Sequence, residues 1–288
     1  MEILREYQNW LKEDAKTDKT IENYRTDVKG FLEWIGSKVD LEQLRRADFR
    51  NYFHHLRERA FAVSTINKKV NSLRSFNDYL LEEEIISKKL VYPEKDRIKI
   101  AKGSNSNIEI FSADEVERIL SYLDREEISQ RDRMIVHLLL YTGIRVGELV
   151  EIRLKHLDLL VGELKVVGKG SKYREIPLNQ KVRKSIRSYL QEERNNSKYK
   201  ESDYLILTQR SPKAHRDTIN NLLNKIGDEV DLKVYPHKFR HTCFTILIRK
   251  GVDIATVSEL AGHSSIETTH RYYLSTSKEE KAKAVELL

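Results

Sequence analysis

The sequence contains a single cysteine, Cys243, among 288 residues. One thiol cannot form an intramolecular disulfide, and it cannot supply the several ligands of a cysteine-rich zinc site. No apolar run approaches the roughly 18 residues that a membrane span requires, and residues 1–12 lack the apolar core of a signal peptide. These absences predict a protein of a reducing cytoplasm, or of a nucleoid within it, that has no membrane partner.

Charge, in contrast, is abundant and unbalanced. The chain has 52 lysines and arginines against 45 aspartates and glutamates, which gives a formal net charge of +7. A basic excess of this size favours a polyanion as partner, with phosphate groups as the targets. The length is sufficient for two domains of ordinary size, each with its own core.

Residues 1–90 have the pattern of a helical bundle. Apolar residues recur at helical spacing in four segments, and none of the segments has convincing strand character. Thr20 and Asp48 are predicted N-caps of two of these helices, and Gly36 is predicted to end the first of the two. Residues 91–110, which are rich in lysine and small polar residues, are predicted to be a basic interdomain linker.

Residues 111–288 are predicted to form a second domain. It opens with a capping-box pattern, Ser112 and Glu115, and continues as several helices. Two short strands, 164–167 and 173–178, flank a turn that contains glycine and lysine. The predicted fold class is therefore mainly α with a small β-sheet: an N-terminal helical bundle followed by an α+β domain.

The first cluster of candidate functional residues is T-G-I-R-V-G-E-L, residues 142–149. Gly143 can break one helix, so that Arg145 enters the first turn of the next, where the helix dipole disfavours a cation. This local cost indicates another role for Arg145, such as binding an anion, and Glu148 can brace the guanidinium from three residues on. Judged alone, an exposed ion pair explains the same two residues more simply.

The second cluster is H-K-F-R-H, residues 237–241. Pro236 suits the first turn of a helix, and a spacing of three places His237 and Arg240 on one helical face. His237 and His241 could instead bind a metal, but Lys238 occupies the position where a zincin motif requires glutamate. No metal site is predicted here.

Two further groups of candidate residues lie near glycines. Gly262 is predicted to end a helix, which places His263 at a junction, and Tyr272 follows nine residues later. A tyrosine judged alone is usually part of the packing. Lys169 lies in the predicted hairpin turn, with Lys172 close by; a lysine held there could donate a proton, because desolvation lowers the pKa of an ammonium group.

Together these residue types suit the transfer of a phosphodiester to a protein side chain. Two arginines can clamp the nonbridging oxygens, and a tyrosine hydroxyl can attack the phosphorus. A lysine can protonate the departing oxygen, and histidines can shuttle protons. No carboxylate pair for magnesium accompanies them, and one phosphodiester replaces another, so no metal, cofactor or ATP is expected.

The ordered motifs T-G-I-R-V-G-E-L, V-G-K-G, H-K-F-R-H and L-A-G-H-S-S, with Tyr272 nine residues after the last histidine, resemble the tyrosine recombinase or phage integrase family. Within that family they are most similar to the Xer branch, which resolves chromosome and plasmid dimers. The resemblance covers residues 111–275, and residues 1–90 are similar to the SAM-like core-binding domain of the family.

The resemblance implies a site-specific recombinase that cuts and rejoins DNA through a 3′-phosphotyrosyl intermediate. Tyr272 would be the nucleophile, and Arg145 and Arg240 would bind the scissile phosphate. Lys169 would protonate the leaving 5′-hydroxyl, with Lys172 as the alternative acid. The assisting and auxiliary residues would be His237, His263 and Glu148.

The resemblance also implies the partners. These are a double-stranded DNA recombination site and further copies of the chain, two on each site and four in the synapse, with residues 278–288 as a C-terminal exchange helix. The alternatives are a type IB-like topoisomerase, a mobile-element integrase, and a non-enzymatic DNA-binding protein.

Overall fold

The computed structural model describes residues 2–36, 40–99, 109–167 and 173–262. The chain divides into two compact units, Met1–Ser104 and Asn105–Leu288. The helices of the first unit are α1 (Glu2–Glu13), α2 (Asp18–Ile35), α3 (Arg46–Glu58), α4 (Val63–Glu82) and the single turn α5 (Pro93–Asp96). No helix among the described residues is long and apolar enough to cross a membrane.

The starts of α2 and α3 differ from the prediction by one helical turn. Thr17, not Thr20, is the N-cap of α2, and its hydroxyl accepts a hydrogen bond from the Thr20 amide. Asp48 likewise lies at the third position of α3, where its carboxylate accepts a 2.7 Å hydrogen bond from the Arg45 amide. Both predicted N-caps were wrong for one reason: residues with oxygen-bearing side chains are favoured at the cap and three residues later. The predicted end of α2 at Gly36 is confirmed.

Part of the segment predicted to be a linker packs on the first unit. Val91, the first residue of that segment, is buried in its core beside Leu90, and the amides of both residues donate 2.7 Å hydrogen bonds to Asn77 Oδ1. Asp96 is also buried and accepts two hydrogen bonds from the Arg46 guanidinium, of 2.9 and 2.6 Å. The composition of 91–110 does not predict that Val91 and Asp96 are buried, because an average over a segment does not show which side chains point into the core.

The second unit contains seven α-helices and a small sheet among its described residues. The helices are α6 (Ala113–Leu123), α7 (Gln130–Thr142), α8 (Val146–Leu149), α9 (Gln180–Ser188), α10 (Arg216–Val230), α11 (Pro236–Arg249) and α12 (Ile254–Ala261). The strands are β1 (Leu157–Asp158), β2 (Glu163–Val167) and β3 (Tyr173–Pro177), paired antiparallel in the order β1-β2-β3. The predicted capping box of Ser112 and Glu115 is present at the start of α6.

The core of the second unit surrounds α7, which packs against α9 and α11. Seven residues of α7 are buried and none is exposed, so this helix is enclosed by the rest of the unit. Strands β2 and β3 match the predicted hairpin, whereas β1 consists of two residues and is too short to produce an alternating pattern. The predicted fold class, mainly α with a small sheet, is confirmed.

Candidate active site

Arg145 occupies the junction between α7 and α8. Gly143 ends α7 in a left-handed conformation (φ +60°), and Arg145 is the N-cap residue of α8. Glu148 lies three residues later, where Oε2 accepts a 2.9 Å hydrogen bond from the Arg145 amide and Oε1 accepts a 3.0 Å bond from Arg145 Nη1. The predicted contact between Glu148 and the guanidinium is therefore present. The Arg145 side chain remains 37% exposed, so it is held at one edge and open at another.

Arg240 is far more deeply placed. It lies on α11, which begins at Pro236 as predicted, and it is only 3% exposed. Nη1 donates a 2.6 Å hydrogen bond to the Gly143 carbonyl, and Nη2 donates a 2.6 Å bond to the Ala261 carbonyl. The guanidinium also lies 4.9 Å from the centre of the Phe244 ring. Arg240 therefore joins the end of α7 to the end of α12.

Three arginines converge on the C-terminus of α12. The end of a helix carries partial negative charge and unpaired carbonyls, and both attract guanidinium groups. Each of the last carbonyls binds a different arginine: Leu260 binds Arg174 Nε at 3.2 Å, Ala261 binds Arg240 Nη2 at 2.6 Å, and Gly262 binds Arg145 Nη2 at 3.1 Å. The helix end thus brings together the two arginines predicted from separate motifs.

Arg174 is a further residue of this cluster, and none of the sequence motifs predicts it. It lies on β3, and its guanidinium forms a two-pronged pair with Glu148, both N–O distances being 2.8 Å. One signal could have identified it: strand residues two apart share a face, so Arg174 lies on the same face as the buried Ile176. A charged residue on the buried face of a strand requires a partner.

Glu148 is the carboxylate at the centre of this cluster. Burial alone would raise its pKa, but hydrogen bonds from Arg174 and from the amide and side chain of Arg145, together with the Arg174 charge, outweigh that effect. The net result holds the pKa of Glu148 at about 2. Glu148 is therefore a permanent anion at neutral pH and cannot serve as a proton donor there.

His237 and His241 share one face of α11, with ring centres 6.2 Å apart. Burial, followed by the charges of Arg240 and Arg145, lowers the pKa of His237. Burial, followed by the charges of His237 and Arg240, lowers the pKa of His241 to about 4. Both imidazoles are thus neutral at pH 7, a form in which one ring nitrogen can donate a hydrogen bond and the other can accept one. No group of three potential metal ligands occurs among the described residues.

Arg145 and His237 line one cleft of about 600 Å³. Its other titratable lining residues are Glu148, Glu151, Arg153, His156 and Arg216. Both carboxylates are already paired, Glu148 with Arg174 and Glu151 with Lys213 at 2.6 Å. The arginines of the lining therefore leave the cleft with net positive charge, as a phosphate-binding surface requires.

A second cavity of the same unit, about 640 Å³, lies between α10, the loop before α7 and the segment that follows α9. Its arginines are engaged elsewhere: Arg131 pairs with Asp132 at 2.9 Å, and Arg194 binds backbone carbonyls of a neighbouring loop. Because these guanidinium groups stabilise local structure, the cleft of Arg145 and His237 is the better candidate for the site.

The remaining predicted site residues lie outside the described residues. These are Lys169, Lys172, His263 and Tyr272. Their assignments stay predictions. Of the predicted site residues that the structure describes, Arg145, Glu148 and His237 line the cleft, and Arg240 is buried outside its lining.

Comparison with known proteins agrees with this interpretation. A model of the phage integrase family matches residues 109–280, and a model of the phage integrase N-terminal SAM-like domain matches residues 3–87. The chain is a tyrosine recombinase: it belongs to the phage integrase family.

Its relatives include recombinases of the predicted Xer branch. Tyrosine recombinase XerA of Thermococcus kodakarensis is 32% identical over 296 residues, which cover 100% of this chain and 97% of the relative. Tyrosine recombinase XerC of Staphylococcus haemolyticus is 31% identical over 281 residues, covering 94% of this chain and 91% of the relative. The TnP I resolvase of Bacillus thuringiensis is 30% identical, with 94% and 95% covered.

Solved structures share the fold at lower identity. The XerH site-specific recombinase bound to palindromic difH substrate, in a post-cleavage complex, has a TM-score of 0.74 at 21% identity, with 93% of this chain and 80% of that chain covered. A lambda integrase dimer bound to a COC′ core site has a TM-score of 0.75 at 16% identity, with 96% of each chain covered.

Proposed function

We propose that this chain is a site-specific recombinase that binds a double-stranded DNA site and exchanges its strands through a covalent phosphotyrosyl intermediate. The observation that carries the proposal is the cleft of Arg145 and His237, whose cationic lining is held in place by Glu148 and by the end of α12. A pre-formed anion site of this kind suits a reaction in which negative charge grows on phosphate oxygens.

The proposed reaction begins when the Tyr272 hydroxyl attacks the scissile phosphorus. The new bond joins the tyrosine oxygen to phosphorus, and the bond to the 5′ oxygen breaks. The tyrosine proton leaves to a neutral histidine or to solvent, and Lys169, or Lys172 as the alternative acid, protonates the 5′ oxygen. Attack by the 5′-hydroxyl of another strand reverses the step and reseals the DNA without ATP.

The described side chains have separate roles in this step. Arg145 and Arg240 stabilise the charge on the nonbridging oxygens, Arg145 from its exposed edge and Arg240 from within the core. His237, neutral at pH 7 because burial and the nearby arginines lower its pKa, forms a hydrogen bond with the phosphate or accepts a proton. Glu148 orients Arg145 without titrating.

Trapping on a nicked suicide DNA substrate tests the proposed function. Wild-type protein should form a covalent adduct, and mapping of the linked peptide should identify Tyr272. Tyr272→Phe should abolish the adduct, while Tyr273→Phe, the adjacent control, should retain it. Cleavage should persist in excess EDTA. The lack of any adduct that depends on Tyr272 would contradict the enzyme claim and favour a DNA-binding protein.

The assembly we propose is a dimer on each DNA site and a tetramer in the synapse, in which residues 278–288 dock on a neighbouring protomer. The apolar residues of this segment recur at helical spacing, which supports a docking helix. Deletion of 278–288 should leave binding to a half-site intact and abolish cooperative binding to a full site, as measured by gel shift. Equal cooperativity in the deletion variant would contradict the exchange.

The reaction outcome we propose is resolution of chromosome or plasmid dimers, carried out at the nucleoid in the cytoplasm. Recombination should require paired cognate sites. Relaxation of supercoiled plasmids that lack any site would favour a topoisomerase instead.

A further inference from the structure

Arg174 is the member of the arginine cluster that pairs with both oxygens of Glu148, and it does not line the cleft. Its side chain is 14% exposed, compared with 37% for Arg145. Its terminal nitrogens bind the two oxygens of Glu148, and its Nε binds the Leu260 carbonyl. The side chain therefore connects β3, α8 and the end of α12, and these contacts face inward.

The pairing with Arg174 limits how Glu148 can bind Arg145. Oε1 accepts from Arg174 Nη1 and Arg145 Nη1, and Oε2 accepts from Arg174 Nη2 and the Arg145 amide. Four hydrogen bonds use the roughly four acceptor positions of a carboxylate. Glu148 therefore cannot form a second two-pronged pair with the Arg145 guanidinium.

Arg145 consequently keeps donors for a ligand. Among the described residues, its guanidinium uses one N–H on Glu148 and one on the Gly262 carbonyl. A guanidinium has five N–H donors, so about three remain to face the cleft.

We propose that Arg174 is a positioning residue of the strand-cleavage reaction. By occupying Glu148 and the Leu260 carbonyl, it keeps the Arg145 guanidinium directed at the scissile phosphate and fixes the end of α12, from which the chain continues to His263. The inference rests on the proposed function, because it concerns the step in which Arg145 binds phosphate.

Gly262 shows how closely the helix end and Arg174 fit. A Cβ atom on this residue would lie 3.0 Å from Arg174 Nη1 and 3.1 Å from its Cδ. The backbone there is left-handed, at φ +60°, which also favours glycine. Arg174 pairs with Val166 in the β2–β3 ladder. The two strands that flank the predicted lysine turn are therefore connected to the same helix end.

Replacing Arg174 with glutamine tests the proposal. Glu148 would then have acceptor positions to spare and would draw Arg145 into a two-pronged pair, away from the cleft. A displacement of about 1 Å can cost about 100-fold in rate, so single-turnover cleavage should fall about 30- to 100-fold. DNA affinity should change less than about threefold, because Arg174 does not line the cleft.

Arg174→Lys is a second, milder variant, which keeps the proposal testable if Arg174→Gln does not fold. Lysine retains the positive charge but cannot form the two-pronged pair. Its cleavage rate should be intermediate, about 10-fold below wild type.

Arg183→Gln is the matched control. Arg183 is a half-buried arginine of α9 in the same unit, and it binds the Leu159 and Leu160 carbonyls at 2.9 and 3.1 Å. Its loss should lower thermal stability to a similar degree as the loss of Arg174, yet leave cleavage near the wild-type rate. This comparison separates positioning from general destabilisation.

A substrate with a neutral methylphosphonate at the scissile position supplies a readout that a purely structural role would not change. Arg145 has less charge to stabilise on this substrate, so the defect of Arg174→Gln relative to wild type should shrink to less than about 10-fold. An equal defect on both substrates would overturn the proposal, as would cleavage by Arg174→Gln at the rate of Arg183→Gln. No Tyr272-linked adduct with wild type would overturn the proposed function and this inference together.

Discussion

Arg240 Nη1 donates a 2.6 Å hydrogen bond to the carbonyl oxygen of Gly143, 97 residues earlier in the chain. Gly143 is the residue whose left-handed conformation ends α7 and directs the chain to Arg145. One buried guanidinium therefore fixes the turn from which the other arginine projects. The two arginines thus have different roles, since Arg240 contributes to the fold and the site, and Arg145 mainly to the site.

The first prediction separates these roles by stability. Arg240→Ala leaves the Gly143 and Ala261 carbonyls buried without this donor, so the free energy of unfolding should fall by about 2–4 kcal/mol. Arg145→Ala removes a partly exposed side chain, and Glu148 remains paired with Arg174. The free energy of unfolding should therefore fall by less than about 1 kcal/mol. Urea denaturation followed by circular dichroism measures both, and both variants should lose cleavage. Equal losses of stability would contradict the distinction.

The second prediction concerns Gly143 itself. A Cβ atom there would lie 2.7 Å from the Phe244 ring, in addition to the cost of a left-handed backbone. Gly143→Ala should therefore destabilise the protein by about 3 kcal/mol. Gly251→Ala is the control: its φ is +84°, but no atom lies within 4 Å of the new methyl group, so the cost should be about 1 kcal/mol. Calorimetry should show the larger fall in melting temperature for Gly143→Ala.

The third prediction tests whether the segment after Leu90 belongs to the first unit. Asp96→Asn keeps the size of the buried side chain but places an N–H group against the Arg46 guanidinium, so that unit should lose about 2 kcal/mol of stability. Both tryptophans, Trp10 and Trp34, lie in the first unit, so their fluorescence reports its unfolding in the full chain. The exposed neighbour Glu94, changed to Gln, should alter stability by less than about 0.5 kcal/mol. An unchanged midpoint for Asp96→Asn would contradict this boundary.

The fourth prediction is a pH dependence from His241. Its folded pKa is about 4, lowered from 6.5 by burial and by the charges of His237 and Arg240. Between these two pKa values His241 binds a proton in the unfolded chain but not in the folded chain. The free energy of unfolding is therefore highest above pH 6.5 and falls as the pH is lowered towards 4. Relative to His241→Gln, wild type should lose about 1–2 kcal/mol more over this window, after allowance for solvent screening. Parallel curves of unfolding free energy against pH would contradict the shift.

The sequence by itself determined the fold class, the family and the candidate chemistry. Helical and strand periodicity are local properties, and each motif is a run of a few residues, so both can be read without knowledge of what packs where. The contact between Glu148 and Arg145 is of this kind, because a separation of three residues within one helical turn fixes their proximity.

Only the tertiary structure decided how the motifs meet. The hydrogen bonds from Arg145 to Gly262 and from Arg240 to Gly143 span 117 and 97 residues, and no periodic pattern encodes such distances. Whether an arginine faces a cleft or is buried, as with Arg145 and Arg240, likewise depends on the elements that cover it. The role of Arg174 depends on packing in the same way: alternation places it on the buried face of β3, but only the tertiary structure places Glu148 and the end of α12 beside it.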